Sequence, residues 1–163
     1  MTLKKTLLIT GALILLLGGG LCYAEATKIH TPPPVPTRGE LLQRVNAERE
    51  KVGDAPLTME PKLNTSAQIK ADDMLKFNYF DHYNPITGKR GVNIIADNAK
   101  DICQWGGEVL DEINEEYLNT SAEHIRRFMA SPPHREALLD PKYDLVGFGI
   151  AGTKVVGHLC QSR

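Results

Sequence analysis

The segment from Ser131 to Ile150 constrains the fold most, because it places a helix start shortly before a strand. Two prolines follow Ser131, and proline suits the first helical position, where its missing N–H would have had no partner. Ser131 is thus the predicted N-cap of a short helix that ends near Leu139. His134 falls in the first turn, where the partial positive charge of the helix N-terminus favours neutral imidazole. His134 is therefore either a buried structural residue or one wall of a site.

The residues after this helix predict a hairpin. Val146, Phe148 and Ile150 share one face of a strand, and glycines occupy the opposite face between them. The chain then turns at Ala151-Gly152 and continues into a partner strand.

Three longer helices are predicted before this segment. Thr37 and Glu40 have the spacing of a capping box, as do Thr120 and Glu123, and apolar residues recur at helical spacing after each pair. The helices run from Thr37 to Gly53, from Pro61 to about Asn78 and from Thr120 to Ser131. Helices first and a hairpin last predict an α+β fold.

The sequence between the second and third helices is irregular. Turn residues mark the stretch from Tyr79 to about Gly107, and a short strand is predicted near Val92 to Ala96. The charged run DEINEE, residues 111–116, is predicted to be a solvated face or loop. Lys70 is assigned to the exposed face of the second helix.

Residues 1–26 predict an export signal. Lys4 and Lys5 precede an apolar run that starts at Leu7, and a cleavage-like Ala24-Glu25-Ala26 follows. The run is shorter than the roughly 20 residues that cross a bilayer, although the residues after it extend it enough for an uncleaved anchor. Cleavage and anchoring both stay open, and the membrane is expected to be contacted only through this segment.

Residues 27–36 are rich in proline and predict an extended linker. Residues 37–163 form the predicted domain. The 19 basic and 20 acidic residues of the chain nearly cancel, to a net charge of −1. Nucleic-acid binding generally needs a basic surface, so no nucleic-acid partner is expected.

The cysteines bear on the compartment. Cys22 follows Leu21 where a lipid-attachment site has a small residue, which disfavours lipidation. Removal of the signal leaves Cys103 and Cys160, an even count in the oxidising compartment that an exported protein reaches. A Cys103–Cys160 disulfide is predicted, with two buried free thiols as the alternative, and the location is secreted or periplasmic.

Four segments occur in an informative order: LLQRVNAEREKVGDAPL, FDHYNPITGKR, GGEVL and SPPHREALLDPKYDLVGFGI. Together they resemble the CAP superfamily, which groups cysteine-rich secretory proteins, antigen 5 and pathogenesis-related 1 proteins, and in particular its bacterial, exported SCP-like branch. The resemblance covers about Thr37 to Leu159. It implies an α-β-α sandwich, with helices on both faces of a small, mainly antiparallel sheet.

The resemblance also implies a binding cleft. His82 and His134 match the two cleft histidines of the family, and Glu108 matches its first cleft glutamate. Ser131 stands where animal and plant members carry a second glutamate, so the set of four is reduced to three acidic or imidazole side chains. A rival alignment of GVNIIA places Val92 at the glutamate position, but the spacing to the third helix favours Glu108.

Two histidines and a carboxylate are a ligand set for zinc or another divalent metal, with His82 and His134 as the expected ligands. No short motif places two ligands on one helical face, so metal binding depends on the fold. A hydrolase would use Glu108 as a general base on a metal-bound water. Ser131 is explained as a helix cap, and no residue pattern indicates an activated nucleophile.

CAP members are mostly non-enzymatic, so the resemblance implies a binding module for a lipid or sterol, a glycan or a protein. The alternative is a metal-dependent hydrolase or peptidase that uses His82, Glu108 and His134. A third hypothesis is a structural envelope protein with a vestigial cleft. His158 is predicted to face away from the core and His124 to be solvated, as is His30, and none of these three is assigned a function.

Overall fold

The computed structural model describes residues 35–114 and 118–163. The predicted export signal and all but two residues of the predicted linker lie outside this part of the chain. Within the described ranges, no helix has the length and apolar character needed to cross a membrane.

The described residues form five helices and a four-stranded sheet. In chain order the elements are α1 (Arg38–Val52), β1 (Thr58–Met59), α2 (Pro61–Lys76), α3 (Gly91–Ala99), β2 (Cys103–Glu112), α4 (Ser121–Ala130), α5 (Pro132–Leu138), β3 (Leu145–Ala151) and β4 (Lys154–Ser162). The strand order is β1-β3-β4-β2. β1 is parallel to β3, and the other neighbours are antiparallel. The α+β prediction is confirmed.

Helix α2 lies directly on one face of the sheet, because the middle of β3 presents only Gly147 and Gly149 there. A Cβ atom on Gly147 would lie 2.1 Å from the carbonyl carbon of Leu63, and one on Gly149 would lie 2.2 Å from the main chain of Ala67. The other face packs on the main hydrophobic core, which includes Leu41, Val45, Phe128, Leu138 and Phe148. Helices therefore cover both faces, as an α-β-α sandwich requires.

The strand predicted at Val92 to Ala96 is wrong, because these residues belong to α3. The side chain of Asn93 accepts a hydrogen bond from the Arg90 N–H at 2.9 Å and so starts the helix. Gly91, Ile94, Ile95 and Ala99 are its buried residues, at spacings of three, one and four. These spacings fit a helix, but the apolar segment is so short that its sequence pattern does not distinguish a helix from a strand.

Strand β2 was missed by the sequence prediction. It extends from Cys103 to Glu112 and forms one edge of the sheet. Its last two residues were predicted to belong to a solvated segment, but Asp111 is buried. The predicted disulfide is confirmed: Cys103 on β2 is bonded to Cys160 on β4, with 5.5 Å between the Cα atoms.

Arg49 fastens the end of α1 to the segment before β3. Its buried guanidinium donates hydrogen bonds to the main-chain oxygens of Ala55 at 2.7 Å, Leu138 at 2.8 Å and Tyr143 at 3.1 Å. Five donors in one planar group suit such a set of carbonyl acceptors. α1 is thereby tied to the helix that carries His134.

Candidate functional site

Glu108 is the centre of the site. It lies on β2 and points to the sheet face that α2 and α3 cover, and its side chain is only 3% exposed. Oε1 lies 2.7 Å from Nδ1 of His82, and Oε2 lies 2.9 Å from Nε2 of His158. Both oxygens of the buried carboxylate are thus engaged by imidazoles.

His158 corrects the sequence prediction. It lies on β4 directly opposite Glu108, is fully buried, and its Nδ1 is 2.7 Å from the hydroxyl of Ser66 on α2. Alternation along β4 correctly separates His158 from Val155, but the face that it occupies is also part of the interior. Gly147 and Gly149 of β3 could have predicted this burial, since glycines on one face of a strand indicate that another main chain packs closely there.

The burial of these groups decides their charges. Burial opposes the ionisation of Glu108, but the hydrogen bonds from His158 and His82 outweigh it, and the pKa of the carboxyl lies below its ordinary value. Burial also lowers the pKa of His158, which favours its neutral form. The neutral ring then donates from Nε2 to Glu108 and accepts the Ser66 hydroxyl at Nδ1.

Gly91 makes room for the carboxylate. A Cβ atom on Gly91 would lie 1.6 Å from Oε2 of Glu108 and 2.0 Å from its Cδ. The Gly91 N–H donates to the main-chain oxygen of His82 at 3.2 Å, so the start of α3 is tied to the loop that carries this histidine. No larger residue fits at this position while Glu108 keeps both imidazole contacts.

Lys70 holds the His82 loop against α2. It was predicted to be exposed, but it is fully buried, and its Nζ donates to the Asp81 main-chain oxygen at 2.6 Å and to the Tyr79 hydroxyl at 3.1 Å. The Tyr79 hydroxyl in turn donates to Asp73, which also accepts from Asn84 at 2.6 Å. Burial lowers the pKa of Lys70. Four hydrogen bonds therefore fasten residues 79–84 to the helix.

His134 lies on α5, which packs on the face of the sheet opposite to Glu108. Its ring packs edge-on against Phe128, with 5.4 Å between the centroids. Partial burial lowers the pKa of His134, and electrostatic repulsion between its imidazolium form and His82 lowers it further. Among the described residues, none hydrogen-bonds to its ring nitrogens. His134 is therefore a neutral imidazole with its nitrogens available to a ligand.

Ser131 takes the N-cap position of α5, as predicted, but not through its side chain. Its main-chain oxygen accepts from the Arg135 N–H at 2.9 Å, and its hydroxyl makes no capping bond. The structure thus joins His82 directly to Glu108, brings His134 within electrostatic range of His82, and leaves Ser131 without a bond to any of them.

The donor set for a metal is small. The described ranges contain no cluster of three or more histidine, cysteine or acidic side chains arranged to hold an ion. Glu108 uses both oxygens for His82 and His158, which leaves Nε2 of His82 and the ring of His134 as candidate ligands. Structural zinc sites have four protein ligands and catalytic sites usually three, so two imidazoles fit only a weak and open site.

A second buried cluster lies away from Glu108. His124 was predicted to be solvated, but it is fully buried, with Nδ1 2.8 Å from Asp111 and Nε2 2.9 Å from Asn119. Arg127 donates to the same Asp111 carboxylate at 2.9 Å. This cluster joins α4 to β2 and is explained as a structural contact.

Chemistry rather than groove size identifies the site. Two surface grooves of about 400 Å³ each lie between α1 and its neighbours α2 and α4. Neither groove is lined by His82, Glu108 or His134. The polar cluster is the stronger candidate because it holds buried groups with shifted pKa values and specific charge partners, and such groups cluster at functional sites.

Comparison with known proteins identifies relatives of known fold. Residues 42–160 match the model of the cysteine-rich secretory protein (CAP) family. The uncharacterized protein YkwD of Bacillus subtilis is 28% identical, over 77% of this chain and 49% of its own length. The chain thus spans about half the length of this curated relative.

Solved structures show the same fold. An extracellular protein of Bacillus anthracis that contains a SCP domain superposes with a TM-score of 0.69 at 18% identity, covering 76% of this chain and 40% of that one. An outer surface protein of Borrelia burgdorferi superposes with a TM-score of 0.67 at 17% identity, covering 82% of this chain and 100% of that one.

Proposed function

The chain belongs to the cysteine-rich secretory protein (CAP) family, and from this premise we propose that it is an extracytoplasmic binding protein that holds its ligand at His82 and His134, with Glu108 as the buried anchor of the cleft, without turnover. The single observation that carries the proposal is the state of Glu108. A carboxylate that is 3% exposed, with both oxygens hydrogen-bonded, anchors the cleft and does not reach a substrate. The imidazoles of His82 and His134 are the groups that face a ligand.

The remaining reactive side chains support binding over turnover. Cys103 and Cys160 are joined in a disulfide. Ser66 is fully buried, although it contacts an imidazole, and Ser131 contacts none. A nucleophile needs both access to the substrate and a base within hydrogen-bond reach, and none of these residues combines the two.

The proposed location is secreted or periplasmic. The disulfide supports it, since disulfides persist in oxidising compartments. Relatives of the same fold point in the same direction, because one is described as extracellular and another as an outer surface protein.

Exposed aromatic side chains near the site bear on the ligand. Phe80 and Tyr83 flank His82 in its loop, and Trp105 on β2 is 65% exposed. Aromatic faces stack on sugar rings and pack against the side chains of peptides or the chains of lipids. These residues support a ligand that is a glycan, a protein segment or a lipid, held by apolar contact as well as by the imidazoles.

The test is a binding screen with the purified protein. Soluble peptidoglycan fragments, phosphatidylglycerol vesicles with and without sterol, and a random-sequence peptide library are the probes. We expect one probe to bind saturably, the His82→Ala/His134→Ala variant to lose at least tenfold in affinity, and Lys51→Ala, a change on the exposed side of α1, to bind as the parent does. Equal binding by the double variant would contradict the proposal.

Hydrolysis is the second candidate, and one contact favours it. Glu108 accepts from Nδ1 of His82, which directs the other ring nitrogen outward as a base for water. In this scheme His82 is the general base and Glu108 orients it, whereas the sequence predicted Glu108 itself to be the general base. His82→Ala would then abolish turnover of a peptide or ester, and an unchanged rate would exclude the scheme.

Metal binding is proposed only for the pair His82 and His134. The contact between Glu108 and Nδ1 of His82 supports it, since carboxylates commonly orient histidine ligands in this way. Zinc titration by calorimetry, with elemental analysis of the purified protein, tests it. We expect weak binding of one ion that the His82→Ala/His134→Ala variant loses; no binding by the parent protein would remove the metal from the proposal.

A further inference from the structure

We infer that the ligand of this cleft is an extended polypeptide segment that adds as a strand to the outer edge of β2 at Gly106 and Glu108. This inference rests on the proposed binding function and names its ligand class. The structural basis is a difference between the two edges of the sheet.

The hydrogen-bond pattern shows which groups of β2 point outward. The Ile113 N–H donates to the Thr153 oxygen at 3.0 Å, and the same register continues along β2 and β4 without interruption from Trp105 onward. Antiparallel neighbours bond through alternate residues. The odd-numbered residues of β2 therefore bond to β4, and the N–H and C=O groups of Gly106 and Glu108 point away from the sheet.

The opposite edge, formed by β3 beyond β1, is closed by side chains. Asn64 accepts from the Phe148 N–H at 2.9 Å, and Arg38 donates to the Phe148 oxygen at 2.7 Å. Gln68 accepts from the Ile150 N–H at 3.1 Å and donates to the Ile150 oxygen at 2.9 Å. All four outward groups of these two residues are paired, which prevents strand addition there.

The edge of β2 is not closed in this way. At its far end Arg127 donates to the Glu112 oxygen at 3.2 Å. No group within residues 35–114 and 118–163 bonds to the main chain of Gly106 or Glu108 on the outer side. The side chain of Glu108 is buried while the residue as a whole is partly exposed, so its exposed surface is main chain.

The chemistry of this edge specifies its occupant. Outward donors and acceptors that alternate at strand spacing are complementary to another extended main chain. Helices α3 and α5 pack against β2 from opposite faces. The helices of a second sheet would clash with them if that sheet paired edge to edge with β2, whereas a single extended segment carries no helices and avoids the clash. The segment lies between the His82 loop and α5, which carries His134.

The two sides of this position present different side chains. Gly106 and Glu108 face α3, since a Cβ on Gly106 would lie 3.1 Å from Ile95, and a Cβ on Gly107 would lie 2.7 Å from the Tyr143 hydroxyl on the other side. Trp105 shares the Tyr143 side, because side chains alternate along a strand. The bound segment therefore places alternate side chains toward His82 and toward the exposed Trp105, and those on the Trp105 side are apolar or aromatic.

The experiment uses the wild-type protein, which avoids variants that fail to fold. A ten-residue random peptide library is selected for binding, and the best peptide is resynthesised with single N-methyl groups along its main chain. We expect N-methylation at alternate positions to weaken binding at least tenfold and at the positions between them to have little effect. The peptide should also slow amide exchange of Gly106 and Glu108 at least tenfold, while the amides of Gly107 and Val109 change little.

Three results would overturn the inference. They are the absence of any binding peptide, a uniform response to N-methylation, and protection of Gly106 and Glu108 by self-association of the protein alone. A glycan or lipid that needs His82 and His134 but leaves the exchange of both amides unchanged would overturn strand addition and leave the binding function standing. Failure of every peptide, glycan and lipid probe to bind would overturn both strand addition and the proposed binding function.

Discussion

Gly91 and Glu108 share one space: a Cβ atom on Gly91 would lie 1.6 Å from Oε2 of the carboxylate that His82 and His158 hold. Gly91→Ala is therefore expected to displace Glu108. A buried carboxylate that loses hydrogen bonds should lower the free energy of unfolding by about 1–3 kcal/mol, measured by urea denaturation.

The control for this change is a double-mutant cycle. In a Glu108→Ala background the methyl group of Gly91→Ala meets no carboxylate, so its cost should fall by at least about 1 kcal/mol. If Gly91→Ala lowers the free energy of unfolding equally in the wild-type and Glu108→Ala proteins, the close approach of Gly91 to Glu108 does not cause the loss of stability.

His158→Ala and His82→Ala form a matched pair, because both remove an imidazole from the same carboxylate. His158 is fully buried, and its loss leaves Oε2 without a partner, at a cost of about 3 kcal/mol. The side chain of His82 is 53% exposed, so water replaces it, and the cost should stay below about 1 kcal/mol. Unfolding curves measured side by side test this, and equal costs would contradict the burial argument.

Stability should fall as the pH falls from 7.5 to 5.5. Burial lowers the pKa of His158, so the unfolded chain binds a proton near pH 6.5 that the folded protein does not accept until a lower pH. Proton uptake therefore favours unfolding. The lowered pKa of His134 acts in the same direction. Below about pH 4.5 the lowered pKa of Glu108 adds a further loss.

The variant that checks this pH dependence is His158→Gln. Its amide can donate to Glu108 and accept from Ser66 as the neutral imidazole does, but it does not titrate. We expect a flatter profile of unfolding free energy between pH 7.5 and 5.5. If the unfolding free energy of His158→Gln depends on pH as steeply as that of the parent, groups other than His158 cause the pH dependence.

Gln68→Ala should expose the edge of β3. Gln68 pairs with both main-chain groups of Ile150, and their loss leaves a donor and an acceptor open to another strand. We expect a loss of about 2 kcal/mol in the free energy of unfolding and increased light scattering on warming. Lys76→Ala, an exposed position on the same helix, is the control and should scatter as the parent does.

Reduction of the disulfide should destabilise the protein strongly. Cys103 and Cys160 are 57 residues apart, and a cross-link over such a loop contributes about 4 kcal/mol in the chain-entropy description. The Cys103→Ser/Cys160→Ser variant should therefore unfold at lower urea concentration than the oxidised parent and match the reduced parent. A midpoint equal to that of the oxidised protein would contradict this.

The elements with local start and stop signals were predicted correctly. Thr37 accepts from the Glu40 N–H at 3.2 Å, as the capping-box spacing predicts, and Gly53 ends α1 with a positive φ of 83°. Thr120 caps α4 in the same way. Such signals involve residues three or four apart and can be read without knowing what the helix packs against.

The errors concern residues whose setting is not local. α3 was predicted as a strand, because its apolar run Ile94-Ile95 reads either way. Lys70 was predicted to be exposed, His124 to be solvated and His158 to face away from the core, and all three are fully buried. Each has polar partners on another element or in a loop, which satisfy its hydrogen bonds in the interior and which no helical or strand periodicity indicates.

The amino-acid order therefore decided most helix ends, the hairpin and the family, because these depend on short spacings and on motifs that keep their order, and the even cysteine count after export decided the disulfide partners. The same motifs named His82, Glu108 and His134 as cleft residues, but only the tertiary structure decided how Glu108 is held and that His158 is its second partner. Gly91, Glu108 and His158 meet only when α3, β2 and β4 pack together, and the open edge of β2 follows from a strand order that joins distant segments. Burial then sets the charge of each group, and burial is a property of the packed molecule rather than of any stretch of sequence.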